Sequence, residues 1–190
     1  MGTLDPKAAW LVQVAQASAS VANYCDHIEH NEFVDRDWIT AAARTLRRVA
    51  MEIAADEKID LLGHYAARLS QIERLNVLWT IGDCDGGRLV QDSTTWRSLQ
   101  LAQVEHDRRF HPDVMGLSKM DQLRHYSFHL AKLTGAVAEL VADVGDQEAF
   151  WRRRLPDLVL FGIKLSTVVG ERLSDDPLPR PPLGGSPIFG

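Results

Sequence analysis

Cysteine is scarce in this sequence. Cys25 and Cys84 are the only two in 190 residues, and they stand in no spacing used for metal binding or redox exchange. A disulfide scaffold is therefore not what holds the chain together, and two reduced thiols in a cytosolic protein are the expected state. Long apolar runs are missing as well: none approaches the ~18 residues needed to span a bilayer. The opening stretch MGTLDPKAAWLVQVAQ lacks a basic segment leading into a long apolar one, so it does not read as a secretion signal. Positive charge is in deficit, with 21 Lys and Arg against 26 Asp and Glu, a net of −5. That balance argues against a nucleic-acid backbone binder, which would show a basic patch or stripe. It leaves room for a nucleotide ligand, because a metal ion can bridge acidic side chains and phosphates. Finally, no stretch alternates apolar and polar residues as a strand would. A soluble, cytoplasmic, all-α protein with neither membrane nor nucleic acid as partner is expected.

Hydrophobic residues make up 45% and charged residues 25%, ordinary for one globular domain of this length. Asp5-Pro6 opens a first helix to about Ile28, with Trp10, Val14, Val21 and Cys25 on one face. His27, Glu29, His30 and Glu32 cluster at its end, where an exposed polar helix end is favoured over a metal site. A second helix follows Asp35 or Asp37, its apolar face formed by Trp38, Ala42, Leu46, Val49 and Ile53. Arg44, Arg47 and Arg48 are expected opposite, as a solvated face. A third helix starts after Lys58, and TIGDCDGGRLVQDST then reads as a long turn. A fourth helix runs from about Thr94 to His111-Pro112, with Trp96, Leu99, Leu101 and Val104 apolar. Asp60-x-Leu62-x-His64-Tyr65-x-x-x-Leu69 returns as Asp121-x-Leu123-x-His125-Tyr126-x-x-x-Leu130, a hint of repetition between 36–80 and 94–140. The expected architecture is an antiparallel bundle of about six helices over 1–173. The last 17 residues, SDDPLPRPPLGGSPIFG, hold five prolines and three glycines and read as an extended or disordered tail.

The stretch from Ser118 to Leu173 organises the rest. Ser118 is an N-cap, with Asp121 three residues on. Leu123, Tyr126, Leu130, Leu133 and Val137 fall at helical spacing on one face. His125-x-x-x-His129 presents two imidazoles in the same direction, as a helix presents ligands to a transition metal. The second helix of the pair opens on Pro156-Asp157 and turns strongly apolar. Separately, Glu105-His106-Asp107 with His111 and Asp113 resembles the His-Asp dyad of HD-type metal phosphohydrolases, an all-helical superfamily. His64 and Asp157 would be the outer ligands on that reading.

HLAKLTGAVAEL followed by RRRLPDLVLFGIKLSTVVG resembles the MazG-like, all-α nucleoside triphosphate pyrophosphohydrolases. That family pairs a helix bearing E-x-x-E with one starting E-x-x-D-V-L. The likeness covers about 118–173 and rests on the apolar pattern, Gly135, Glu139 and Asp157-Leu158. It implies an all-α oligomer, a homodimer or higher, that hydrolyses or binds a nucleoside triphosphate with magnesium or manganese. Glu139 and Asp157 would hold the metal, Arg124, Lys132 and Lys164 the phosphates, and His125 or His129 would act in catalysis. Lys132 and Ala136 stand near places where the family has acids, and Arg154 sits three residues before Asp157. The competing expectation is a non-catalytic helical scaffold that presents its Pro-rich tail to a partner.

Overall fold

A computed structural model describes residues 5–75 and 85–179. In them the chain is all-α. Six longer helices, α1 (Pro6–Glu29), α2 (Asp37–Asp56), α3 (Leu61–Leu75), α5 (Trp96–Phe110), α7 (Lys119–Val141) and α9 (Leu155–Val168), are joined by shorter ones. These are α4 (Gly86–Gln91), α6 (Pro112–Met115) and α8 (Gln147–Ala149).

Local chemistry sets most of the starts. Asp5, Asp85, Ser118 and Asp146 each accept a backbone N–H of the first turn of α1, α4, α7 and α8. Thr95 and Ser98 cap α5 reciprocally. A single π turn, Phe150–Arg154, links α8 to α9.

α9 is the axis of the fold. Every residue from Leu155 to Ser166 is buried, because α2, α3, α5 and α7 all pack against it. A helix that is apolar all round belongs in a core, and this one is covered on every face. α1 closes the main bundle against α2 and α7. Gly162 permits the closest approach: a Cβ there would stand 2.9 Å from the Ala43 carbonyl and 2.7 Å from Arg47 Cγ on α2. The spaced residues Val14, Val21, Leu46, Val49, Ile53, Leu123, Leu130 and Val137 are all at most 3% exposed. Each such aliphatic side chain contributes about 1.5–3 kcal/mol by leaving water.

Several expectations are corrected. Trp38 does not join the core: it is 42% exposed and meets the His27 ring edge-on. Arg47, expected on the solvated face, is 9% exposed and packs against α9. The glycine-rich stretch is not all turn. From Asp85 on it forms α4, which lies against α3 so closely that a Cβ on Gly87 would sit 3.2 Å from the Ala66 carbonyl. Residues 76–84, including Cys84, lie outside the described part, as does the tail from 180. Residues 171–179 are not a free tail. Leu173 and Leu178 are buried, and the N–H groups of Trp96 and Arg97 donate to Asp176 and Ser174. The two Tyr-x-x-x-Leu segments are alike in that Tyr65, Leu69, Tyr126 and Leu130 are all buried.

Candidate functional site

α5 turns a polar face inward. Gln100, Gln103, His106 and Asp107 are buried on it, while Leu101 is 53% exposed. Their spacing of three and four makes one stripe along the helix, and α9 and α3 supply its partners. Gln100 donates to Thr167 Oγ1 at 3.2 Å and to the Glu171 carbonyl at 2.8 Å. Gln103 accepts from the Tyr65 hydroxyl and donates to Asp107 Oδ1 at 2.8 Å. The same carboxylate oxygen receives Lys164 Nζ of α9 at 2.9 Å, with both side chains under 10% exposed. Burial pushes the Asp107 carboxyl up; the adjoining Lys164 ammonium, together with the His106 and His111 rings, outweighs it and holds the group below the usual range.

Lys164 also lies beside two aromatic rings, behind which stand two imidazoles. Its ammonium lies 5.8 Å from the Tyr126 ring centroid and 5.7 Å from that of Phe161. His129 stacks on Phe161 at 4.8 Å, and His125 stands 4.8 Å from His129. Burial first, then neighbouring positive groups, lower His129 to about 4; burial and the Lys164 charge lower His111 to about 4 and His125 to a smaller degree. At neutral pH, His111 and His129 therefore face Lys164 uncharged.

A cavity of about 160 Å³ opens beside this group. Gln103, Asp107, Tyr126 and Lys164 form its inner wall, and Lys119 and Gln122 of α7 stand nearer the surface. One neighbour is unsatisfied. His106 is fully buried with neither ring nitrogen hydrogen-bonded, 3.7 Å from Glu73 Oε1 and 3.8 Å from Asp107 Oδ1. Gly86 comes so near that a Cβ would sit 2.7 Å from His106 Cδ2.

The residues singled out in the sequence are divided among several places. Lys164 lines the cavity, while His125 and His129 stand behind it, joined to it through the Phe161 ring rather than in the cavity wall. Arg124 is tied to Glu29 at 2.7 Å and Asp121 at 2.8 Å on the surface. Lys132 is exposed. Glu139 is exposed and lines a different cavity of about 140 Å³ with Arg153 and Arg154. Asp157 is buried, and Arg68 grips both its oxygens, Nε at 2.9 Å and Nη2 at 3.4 Å. Burial raises its carboxyl despite that partner.

This placement does not suit the implied magnesium or manganese. One candidate carboxylate is already neutralised by a guanidinium, and the other belongs to a separate cavity. In the His106-Asp107 dyad, likewise, Lys164 holds the aspartate oxygen a metal would need. Sequence reasoning missed Gln103, Tyr126, Lys119 and Arg68. The i, i+3 polar stripe on an otherwise half-apolar helix was the available signal for Gln103.

Compared with known families, curated proteins and solved structures, the chain matches no family model, no curated protein and no solved structure.

Proposed function

We propose that this chain binds the phosphate end of a nucleotide-class small molecule in the cavity between α5, α7 and α9. The MazG-like resemblance then holds for ligand class rather than for hydrolysis. The observation that carries this reading is the buried Lys164 ammonium in the cavity wall, held by Asp107. Lys119 adds a second cation nearer the surface, so two ammonium groups face one carboxylate. An ammonium in a partly dry site attracts an anion more strongly than one in water. Gln103 and Gln122 add amide groups that can donate to phosphate oxygens without adding charge. Binding without hydrolysis follows from the acids: Arg68 engages Asp157 and Glu139 is elsewhere.

The test is a panel of nucleoside mono- and triphosphates, with and without magnesium, read by thermal stabilisation, calorimetry and pyrophosphate release. Saturating ligand at about a hundred times Kd is expected to stabilise the fold by about 2.7 kcal/mol. Lys164→Gln is expected to abolish that gain. Silence across the panel refutes the proposal. Magnesium-dependent pyrophosphate release that Asp157→Ala abolishes would replace it with the hydrolytic reading.

A further inference from the structure

A second site lies on the other side of α9, and nothing in the cavity around Lys164 requires it. α2, the start of α5 and residues 171–176 enclose an open groove of about 410 Å³. Known small-molecule sites of roughly 300–1,000 Å³ are of this size. Arg44, Arg47 and Arg48 line it from α2, which puts three guanidinium groups at i, i+3 and i+4 on one face.

The three are not equivalent. Arg48 is committed to Glu52, at 2.5 Å, and to Gln13. Arg172, also in the groove, pairs with Asp175 at 3.6 Å. Arg44 is exposed and makes no hydrogen bond or ion pair with any described residue. Arg47 is more than nine-tenths buried, yet no carboxylate touches it. Its Nη1 donates to the Gly162 carbonyl at 3.0 Å and the Ser166 hydroxyl at 2.6 Å. Nε and Nη2 have no partner among the described residues, and neither is among the sealed, unsatisfied atoms, so they reach the groove. A guanidinium carries five donors in a fixed fork, and this one presents its unused edge to the opening.

Charge and shape narrow what would fit. Glu171 lines the groove, but its carboxylate accepts the Ser166 hydroxyl; Asp176 is exposed at the rim. Arg44 and Arg47 stand one turn apart and repel each other, and the nearby Glu171 carboxylate, held through Ser166, offsets the Arg47 charge without bonding to its free edge. A phosphate monoester offers enough oxygens for both guanidinium forks. The half-buried Trp96 ring, 5.9 Å from the Arg47 guanidinium, and Met51 line the same groove and give an apolar surface for a ring. We propose that this groove is a second ligand site, which takes a ring-bearing phosphate monoester of the nucleoside monophosphate kind, with the phosphate between Arg44 and Arg47 and the ring against Trp96.

Calorimetry with adenosine monophosphate, adenosine and inorganic phosphate tests it on the full chain. Arg44→Gln is the key variant, because Arg44 is exposed and unpaired and its loss leaves the fold intact. The monophosphate is expected to bind at least about tenfold more tightly than adenosine or phosphate alone. Arg44→Gln is expected to weaken that binding about tenfold or more, the size of a lost charge-assisted contact. Lys164→Gln serves as the partition. If it leaves this binding event unchanged while Arg44→Gln removes it, the groove is the site, whatever becomes of the Lys164 cavity. Two binding events, each removed by one variant, support both sites. No binding of the monophosphate, or binding that Arg44→Gln leaves untouched, overturns the groove.

Discussion

Replacing Lys164 by Met keeps most of the side-chain volume and removes the charge, so it isolates what the buried ion pair does. In the native protein Asp107 and Lys164 are 5% and 9% exposed and 2.9 Å apart. After the change Asp107 keeps Gln103 Nε2 at 2.8 Å but has lost its close cation. Leaving one member of a buried pair uncompensated costs about 3–5 kcal/mol. For a chain of this length that is a fall in Tm of roughly 10–15 °C. The penalty carries a pH signature. The native Asp107 carboxyl sits below its unfolded value of about 3.9, so its contribution is present above that pH and lost as pH falls through the folded value. In the variant the Lys164 share of the opposition to burial is gone, so the folded value rises. The cost of the bare carboxylate is then largest at pH 7 and shrinks as acid protonates it. Urea denaturation followed by circular dichroism at pH 7 and pH 4.5 measures both. The double variant Asp107→Leu with Lys164→Met is expected to recover most of the loss, since an apolar pair of similar volume has no charge to strand. A penalty below about 1 kcal/mol at pH 7 and equal at pH 4.5 would refute this reasoning.

Three further outcomes are expected. Gly162→Ala adds a methyl against a backbone carbonyl that cannot move aside, so it should cost about 1–3 kcal/mol by thermal melting despite alanine's better helix propensity. His111 and His129 titrate near 4 when folded against about 6.5 unfolded, so the unfolded chain holds more protons between these values and stability falls as pH drops through that window. Allowing for solvent contact, each contributes about 1–2 kcal/mol, and a pH-dependent melting series on His129→Gln should show its share of the slope gone. Arg68→Met strands Asp157 in the core and is expected to cost about 3 kcal/mol at pH 7, a loss that denaturant titration at pH 4 should reduce.

Helical periodicity made the bundle legible. Val14 and Val21 on α1 are two turns apart, Leu46 to Ile53 on α2 and Leu123 to Val137 on α7 recur at three or four residues, and each set is buried. Ser118 was legible as a cap because a hydroxyl facing its own first turn is a purely local event. The polar centre was not legible in the same way. Lys164 and Asp107 are 57 positions apart, and Arg68 and Asp157 are 89, so no local window contains both members. A helix such as α9, apolar on all sides, has no preferred face to show where its one lysine points. Arg47 misled for a related reason: charge patterning places an arginine in solvent, and only the gap at Gly162 lets its stem lie across α9. The carboxylates implied by the family likeness depend on convergence in space, which sequence spacing does not encode.

The central position of α9 bears on how the protein is made. α1 and α2 leave the ribosome more than a hundred residues before the end of the helix they must enclose. At 5–20 residues per second, that delay is on the order of ten seconds. During it the apolar stripes of α1 and α2 can cover each other only in part, because the side of α2 that meets Gly162 has nothing to meet. A nascent chain of this kind is expected to recruit holding factors until residue 168 has emerged, and then to compact in one late step.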